Sequence, residues 1–164
     1  MNHVERFRMF PFAGAAIRRL NEAGLAVIVV TNQSGVARGY FPESLVQQVH
    51  ERMQRELADV GARLDGVYYC PHGSADNCEC RKPKAGMLEQ AAREHTIDLG
   101  RSFVVGDRYA DMELAFRGGC KSIFVQTGYG LEEVTLHAKD WPRQPDVIVA
   151  DLKAAADWIL AREK

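Results

Sequence analysis

Leu25-Ala26-Val27-Ile28-Val29-Val30, followed at once by Thr31-Asn32-Gln33-Ser34-Gly35, decides the fold class. The run is apolar, rich in β-branched side chains and free of polar alternation, the pattern of a strand covered on both faces of a parallel sheet. Upstream, Ala13–Ala23 sets Ile17 and Leu20 on one side of a helix, and Gly24 suits the position just past its end. Downstream, Pro42 stands where a first-turn proline would, Leu45, Val49, Met53 and Leu57 recur every fourth residue, and Gly61 stops the helix. The same alternation continues to the end. Val67-Tyr68-Tyr69 reads as a short strand, and Met87, Leu88, Ala91 and Ala92 as a helical face. Ser102–Val105 reads as a strand ended by Gly106, Ala110–Arg117 as a helix ended by Gly118-Gly119, and Ser122–Gln126 as a further strand. Val147–Val149 and a helical Leu152–Ala161 close the chain. Strands alternating with helices over short loops predict an α/β fold with a mainly parallel sheet.

The chain has 164 residues, enough for one domain over 1–164 that buries about 70% of its unfolded area. Lys and Arg total 21, Asp and Glu 22, and the formal net charge is -1. That balance argues against a general nucleic-acid or membrane-surface binder and leaves room for a small anion held by a few focused charges. No apolar stretch approaches the roughly 20 residues of a spanning helix. Met1-Asn2-His3-Val4-Glu5-Arg6 has no apolar leader core and no small-residue cleavage site, so a cytoplasmic location is expected. There, four cysteines point to thiols or metal ligands more than to a disulfide framework.

Cys70-Pro71-His72 and Cys78-Glu79-Cys80 form C-x-H-x5-C-x-C within the loop 70–80. Three thiolates and one imidazole are the ligand set of a closed tetrahedral zinc site. The competing readings are a chance cluster of buried thiols or a labile disulfide; three of the four cysteines gathered in eleven residues weigh against chance. The spacing is not that of a nucleic-acid finger, whose longer insert carries a helix. Four protein ligands leave no open position, so the zinc is expected to clamp a loop and not to catalyse. Cys120, alone between a helix and a strand, reads as a small buried residue.

Three loops, each expected directly after a strand or after the zinc loop, carry polar groups with a common theme. They are Thr31-Asn32-Gln33-Ser34, Arg81-Lys82-Pro83 and Gly106-Asp107-Arg108-Tyr109-Ala110-Asp111. Ligands of open α/β sheets bind beyond the carboxyl ends of the strands, so the three loops can converge. Hydroxyls, backbone N–H groups and the Arg81 and Lys82 cations suit phosphate oxygens. Asp107 and Asp111 offer hard oxygens to Mg²⁺. Singly, each segment reads equally well as a turn, a solvated loop or a helix cap; together they favour a phosphate site.

The combination Val29–Gly39, Tyr69-Cys70-Pro71-His72, Cys78-Glu79-Cys80-Arg81-Lys82-Pro83-Lys84-Ala85-Gly86-Met87 and Val105-Gly106-Asp107 resembles the haloacid dehalogenase-like phosphatases. More narrowly, it resembles the D-glycero-D-manno-heptose 1,7-bisphosphate phosphatases. Histidinol-phosphate phosphatases share the zinc loop and are the nearest competitor; Gly86-Met87 favours the heptose branch. The resemblance implies a three-layer Rossmann-like fold and Mg²⁺-dependent hydrolysis of the 7-phosphate. It implies that Thr31 bonds the transferring phosphoryl group, Lys82 neutralises its charge and Asp107 holds Mg²⁺, with Asp111 behind. Asn32, Gln33, Ser34, Arg81 and Arg108 would line the substrate, and Cys70, His72, Cys78 and Cys80 would hold zinc. A monomer acting on a phosphorylated sugar, on the route to lipopolysaccharide heptose, is the implied setting.

The family's nucleophile and general acid are the two Asp of a D-x-D motif ending the first strand, and no D-x-D occurs in the 164 residues. Asp65-Gly66-Val67 imitates part of it but precedes a different strand. By resemblance the missing strand lies in mid-sheet, between those ending at Val30 and Val105. Its loss would leave a slot about 10 Å wide lined by unpaired N–H and C=O groups. A true start upstream of Met1 is the favoured expectation, a fragment or pseudoenzyme the other; either way these residues alone are expected to be inactive. A zinc-stapled module that binds a phosphorylated ligand without turnover is the non-enzymatic alternative.

Overall fold

The Val-rich run becomes strand β1 (Ile28–Asn32) in this computed structural model, which describes residues 4–163. Of the leader reading above, Met1, Asn2 and His3 lie outside the described residues. β1 starts and ends later than the apolar run, because its ladder is set by its partner β2 (Gly66–Cys70), in parallel register from Ile28↔Gly66 to Asn32↔Cys70. Thr31 and Asn32 are therefore the last two strand residues and not the first of a loop. Before the ladder, the Val27 N–H donates to Asp65 Oδ2 and the Asp65 N–H to the Val27 carbonyl, both at 2.8 Å. Asp65, the imitation of the motif, thus pins the amino end of this strand pair, the end opposite Thr31 and Asn32.

The chain divides into two compact units, Met1–Arg81 and Lys82–Lys164. In the first, α1 (Ala13–Glu22) buries Ala13, Gly14, Ala16 and Leu20, and α2 (Glu43–Asp59) buries Leu45, Val46 and Leu57. Pro42 caps α2 from outside its first turn in place of the expected first helical position. α2 ends as the sequence predicts: Gly61, at φ +77, turns the chain so that its N–H reaches the Ala58 carbonyl and the Ala62 N–H reaches that of Leu57. Those two bonds satisfy carbonyls that the helix end would otherwise orphan. Leu57 is 1% exposed. Leu57→Ala is expected to cost about 2–5 kcal/mol, read as a lower urea midpoint at unchanged slope.

The second unit runs α3 (Gly86–His95), β3 (Phe103–Gly106), α4 (Tyr109–Gly118), β4 (Lys121–Val125), α5 (Gly130–His137), β5 (Val147–Val149) and α6 (Leu152–Arg162). Its sheet is parallel in the order β3-β4-β5. β4, with a neighbour on each side, buries Ser122, Ile123, Phe124 and Val125. Met112, Leu114 and Ala115 of α4 and Ala155 and Ala156 of α6 are fully enclosed. Buried Ser122 is satisfied by Asp146: its N–H and Oγ–H both donate to Asp146 Oδ2, at 2.7 and 3.1 Å. Asp151 caps α6 by accepting from the Ala154 N–H, a contact worth about 1 kcal/mol. The sheets are thus β1-β2 and β3-β4-β5, and among the described residues β1 has the single strand neighbour β2 and β3 the single neighbour β4. The α/β class with parallel sheets is as expected. α5 is the helix that the sequence pattern did not announce.

Candidate active site and metal centre

Parallel strands align their carboxyl ends, and each unit carries its polar groups there. In the first unit, β1 ends on Thr31 and Asn32, which as neighbours in a strand point to opposite faces. The Gln33 N–H donates to the Cys70 carbonyl at 2.7 Å, so the chain stays beside β2 one residue past the ladder. Gln33 Nε2 donates to Thr31 Oγ1 at 3.3 Å, which fixes the hydroxyl. Ser34 then enters a turn in which its carbonyl accepts from the Arg38 N–H.

Cys70, the last residue of β2, is buried, and the chain after it folds back on itself. Residues 74–76 form one 3-10 turn, the Gly73 N–H donates to Asp76 Oδ2 at 2.7 Å, and Asn77 adopts a left-handed conformation at φ +52. This closed insert returns Cys78 and Cys80 to Cys70 and His72. Cys70 Sγ lies 2.7 Å from Cys80 Sγ and 3.5 Å from both Cys78 Sγ and His72 Nδ1, while His72 Nδ1 lies 3.3 Å from Cys80 Sγ. All four donor atoms fall within 4.8 Å of one another. Zn–S bonds of about 2.3 Å in a tetrahedron set sulfurs about 3.8 Å apart; Cys70 and Cys78, at 3.5 Å, stand near that spacing and Cys70 and Cys80 closer than it, and the donor types suit that ion. All four cysteines are free thiols. Desolvation raises the Cys78 thiol, but the Arg81 N–H and the neighbouring thiols outweigh it and bring Cys78 down to about 6. Desolvation and the two other thiols push Cys80 up to about 12. Arg81 reaches back to the His72 carbonyl at 3.5 Å. Cys120 is buried, as expected, and burial pushes its thiol up to about 11.

In the second unit, Lys82 Nζ lies 2.7 Å from Asp111 Oδ1, with the two side chains 15% and 9% exposed. The other oxygen, Oδ2, accepts the Arg108 N–H at 3.2 Å, closing a capping box at the start of α4. Asp111, offered to a divalent cation on sequence grounds, is thus engaged at both oxygens, one of them by the ammonium that it orients. Asp107 follows β3 directly. Its Oδ2 accepts the Tyr129 N–H at 3.0 Å, and among the described residues Oδ1 has no hydrogen-bond partner. The Arg108 guanidinium lies 4.0 Å from the centre of the Tyr129 ring and 3.9 Å from Glu133 Oε1, and Glu133 Oε2 accepts the Tyr109 N–H at 2.7 Å. The second unit therefore brings together Lys82, Asp107, Arg108 and Asp111; the first gathers Thr31 with Gln33 and, separately, the four Cys and His ligands. Tyr129 and Glu133 were not singled out in the sequence. The signal was Thr127-Gly128-Tyr129-Gly130, a glycine-rich turn directly after a strand.

Comparison with known proteins identifies the family. A family profile described as "HAD-hyrolase-like" matches residues 79–155. The D-glycero-D-manno-heptose-1,7-bisphosphate 7-phosphatase of Thermosynechococcus vestitus is 42% identical over 173 residues, covering 97% of this chain and 86% of its own. The D-glycero-beta-D-manno-heptose-1,7-bisphosphate 7-phosphatase of Pseudomonas aeruginosa is 39% identical over 150 residues, covering 92% and 82%. Among solved structures, the D,D-heptose 1,7-bisphosphate phosphatase of Bordetella bronchiseptica, complexed with magnesium and phosphate, superposes with a TM-score of 0.90 at 35% identity. That match covers 98% of this chain and 88% of the other. The chain therefore belongs to the D-glycero-D-manno-heptose 1,7-bisphosphate 7-phosphatases, a family of haloacid dehalogenase-like hydrolases.

Proposed function

We propose that residues 1–164 are the body of one Mg²⁺-dependent phosphatase domain that removes the 7-phosphate of D-glycero-D-manno-heptose 1,7-bisphosphate. The observation that carries the reading is the Lys82–Asp111 pair standing with Asp107 at the start of α4. Phosphoryl transfer needs positioning and charge stabilisation more than elaborate chemistry. Asp111 holds the Lys82 ammonium in one place, and Lys82 neutralises charge on the transferring group. Thr31 Oγ1, steadied by Gln33, bonds a phosphoryl oxygen. Asn32, Gln33, Ser34, Arg81 and Arg108 hold the rest of the substrate. Asp107 Oδ1 is a hard oxygen that accepts no hydrogen bond among the described residues, which suits Mg²⁺. When bound, Mg²⁺ draws electron density from a phosphoryl oxygen. Cys70, His72, Cys78 and Cys80 hold a structural zinc, and its four protein ligands leave no position for chemistry. A cytoplasmic monomer is the setting we propose; its cysteines are all free, and among the described residues no helix is long and apolar enough to cross a membrane.

The reaction also needs an attacking carboxylate, and residues 1–164 contain no D-x-D pair. The test supplies one. A version extended upstream by an apolar strand ending in D-x-D is assayed with Mg²⁺ beside the 164-residue chain. Phosphate release from heptose 1,7-bisphosphate by the extended version alone is the expected result. Release from histidinol phosphate in its place would move the substrate to that branch. No release from either, with the ligand still stabilising the chain, would leave a binding module.

A further inference from the structure

The turn after β4 is built more tightly than a connection requires. The Gly130 N–H donates to the Thr127 carbonyl at 2.9 Å and the Leu131 N–H to the Gln126 carbonyl at 3.0 Å. A Cβ on Gly130 would overlap the Val125 carbonyl, so the turn lies directly against the end of the strand. Gly128, at φ +61, adopts a conformation that L side chains rarely take, and a Cβ there would overlap Asp107 Oδ2. The next N–H, that of Tyr129, donates to the same Oδ2 at 3.0 Å. The Tyr129 ring in turn lies under the Arg108 guanidinium, which Glu133 also faces. A bare glycine and a backbone donor, 21 and 22 residues along the chain from Asp107, thus meet one oxygen of its carboxylate and leave the other open.

We infer that the Gly128–Tyr129 turn is a positioning device for Asp107: it locks Oδ2 so that Oδ1 is presented to a divalent cation. Glycine at 128 is required because only a missing Cβ lets the backbone approach the carboxylate closely enough for the Tyr129 N–H to bond it. A carboxylate with one oxygen fixed presents the other in a single orientation, and groups that orient a metal's ligands are worth tenfold or more in affinity. This rests on the reading of Asp107 as a cation ligand.

The experiment is a Mn²⁺ titration of the full 164-residue chain, followed by electron paramagnetic resonance, in four proteins: the unchanged chain, Gly128→Ala, Gly24→Ala and Asp107→Asn. Gly24 has φ +83 with nothing within 4 Å of a Cβ, so Gly24→Ala carries the backbone strain without the collision. The expected result is a fall in Mn²⁺ affinity of about tenfold or more for Gly128→Ala, none for Gly24→Ala, and a loss at least as large for Asp107→Asn. Urea midpoints of the two glycine variants check that both remain folded. If Asp107→Asn weakens binding and Gly128→Ala does not, the positioning role is wrong while the ligand reading stands. An equal loss in Gly128→Ala and Gly24→Ala would also overturn it, since strain alone would then account for the effect. If Asp107→Asn changes nothing, the ligand reading fails and takes this inference with it.

Discussion

Stripping the metal from the cluster of Cys70, His72, Cys78 and Cys80, or replacing Cys78 by serine, is expected to unfold the loop 70–80 and lower the thermal midpoint sharply. Structural zinc sites contribute about 10–16 kcal/mol of binding free energy at neutral pH, as much as the ~5–15 kcal/mol by which a domain is usually stable. The loop has little else to hold it: the 3-10 turn 74–76 contributes no buried side chain, and Glu79 and Asp76 are exposed. Three sulfurs within 4.8 Å cannot all ionise without a cation between them, because like charges so close raise one another's pKa. The pH dependence has a definite sign. Metal binding needs deprotonated thiols, so protons compete with it. Cys78 is already down at about 6, which makes it the first ligand supplied, whereas Cys80, pushed up to about 12 in the metal-free cluster, must give up its proton to the incoming ion. Affinity is therefore expected to rise with pH. One zinc per chain in purified protein, with a chelator-induced drop in melting temperature, is the measurement. A stoichiometry near zero, or a chelated protein that melts unchanged, ends the metal assignment.

That cluster was legible because all its information is local: four ligand types within eleven residues of one loop. The helix ends were legible for the same reason, since Gly61 and Gly119 act on the turn just before them. Pairing is not local, and there the sequence pattern ran short. The apolar run 25–30 marks where a strand is buried, but its ladder with β2 decides where the strand begins, and Thr31 and Asn32 belong to the strand through Tyr69 and Cys70. α5 is thinly marked because its eight residues hold only Leu131, Val134 and Leu136 as large apolar side chains, and Leu131 and Leu136 stay 60% and 54% exposed. The candidate site divides in the same way. Lys82, Asp107 and Arg108 were readable as residue types after strands, but Asp111 as the partner of Lys82, and Tyr129 as the donor to Asp107, depend on contacts 29 and 22 residues apart along the chain. The family likeness implies which residues would touch substrate; the Tyr129 N–H bond to Asp107 and the Lys82–Asp111 pair come from contacts it does not specify.

On the proposed reading, Lys82 serves structure and chemistry through one interaction, and Lys82→Met is expected to damage both. Methionine keeps the apolar stem and removes the ammonium 2.7 Å from Asp111 Oδ1. Asp111 would then be a carboxylate with 9% side-chain exposure and, among the described residues, would keep only the Arg108 N–H as a hydrogen-bond donor. Leaving one member of a buried pair uncompensated costs about 3–5 kcal/mol; the 15% exposure of Lys82 places this pair at the lower end of that range. Asp111→Asn in the same chain removes the stranded charge, keeps an acceptor for Arg108, and should restore much of the urea midpoint. Phosphate affinity should not return with it. A unit charge about 4 Å from a phosphoryl oxygen is worth about 4 kcal/mol at an effective dielectric of 20, so binding of inorganic phosphate in Mg²⁺ should weaken by about a hundredfold or more in both variants. The two readouts separate the roles: stability follows the pair, and anion binding follows the ammonium alone. Lys82→Arg tests the geometry, because a longer planar fork paired with Asp111 sets its remaining donors at different points from the compact ammonium; it should keep most of the stability and lose most of the phosphate affinity. Wild-type phosphate binding by Lys82→Met would remove Lys82 from the reaction and leave the pair as a helix-capping contact of α4.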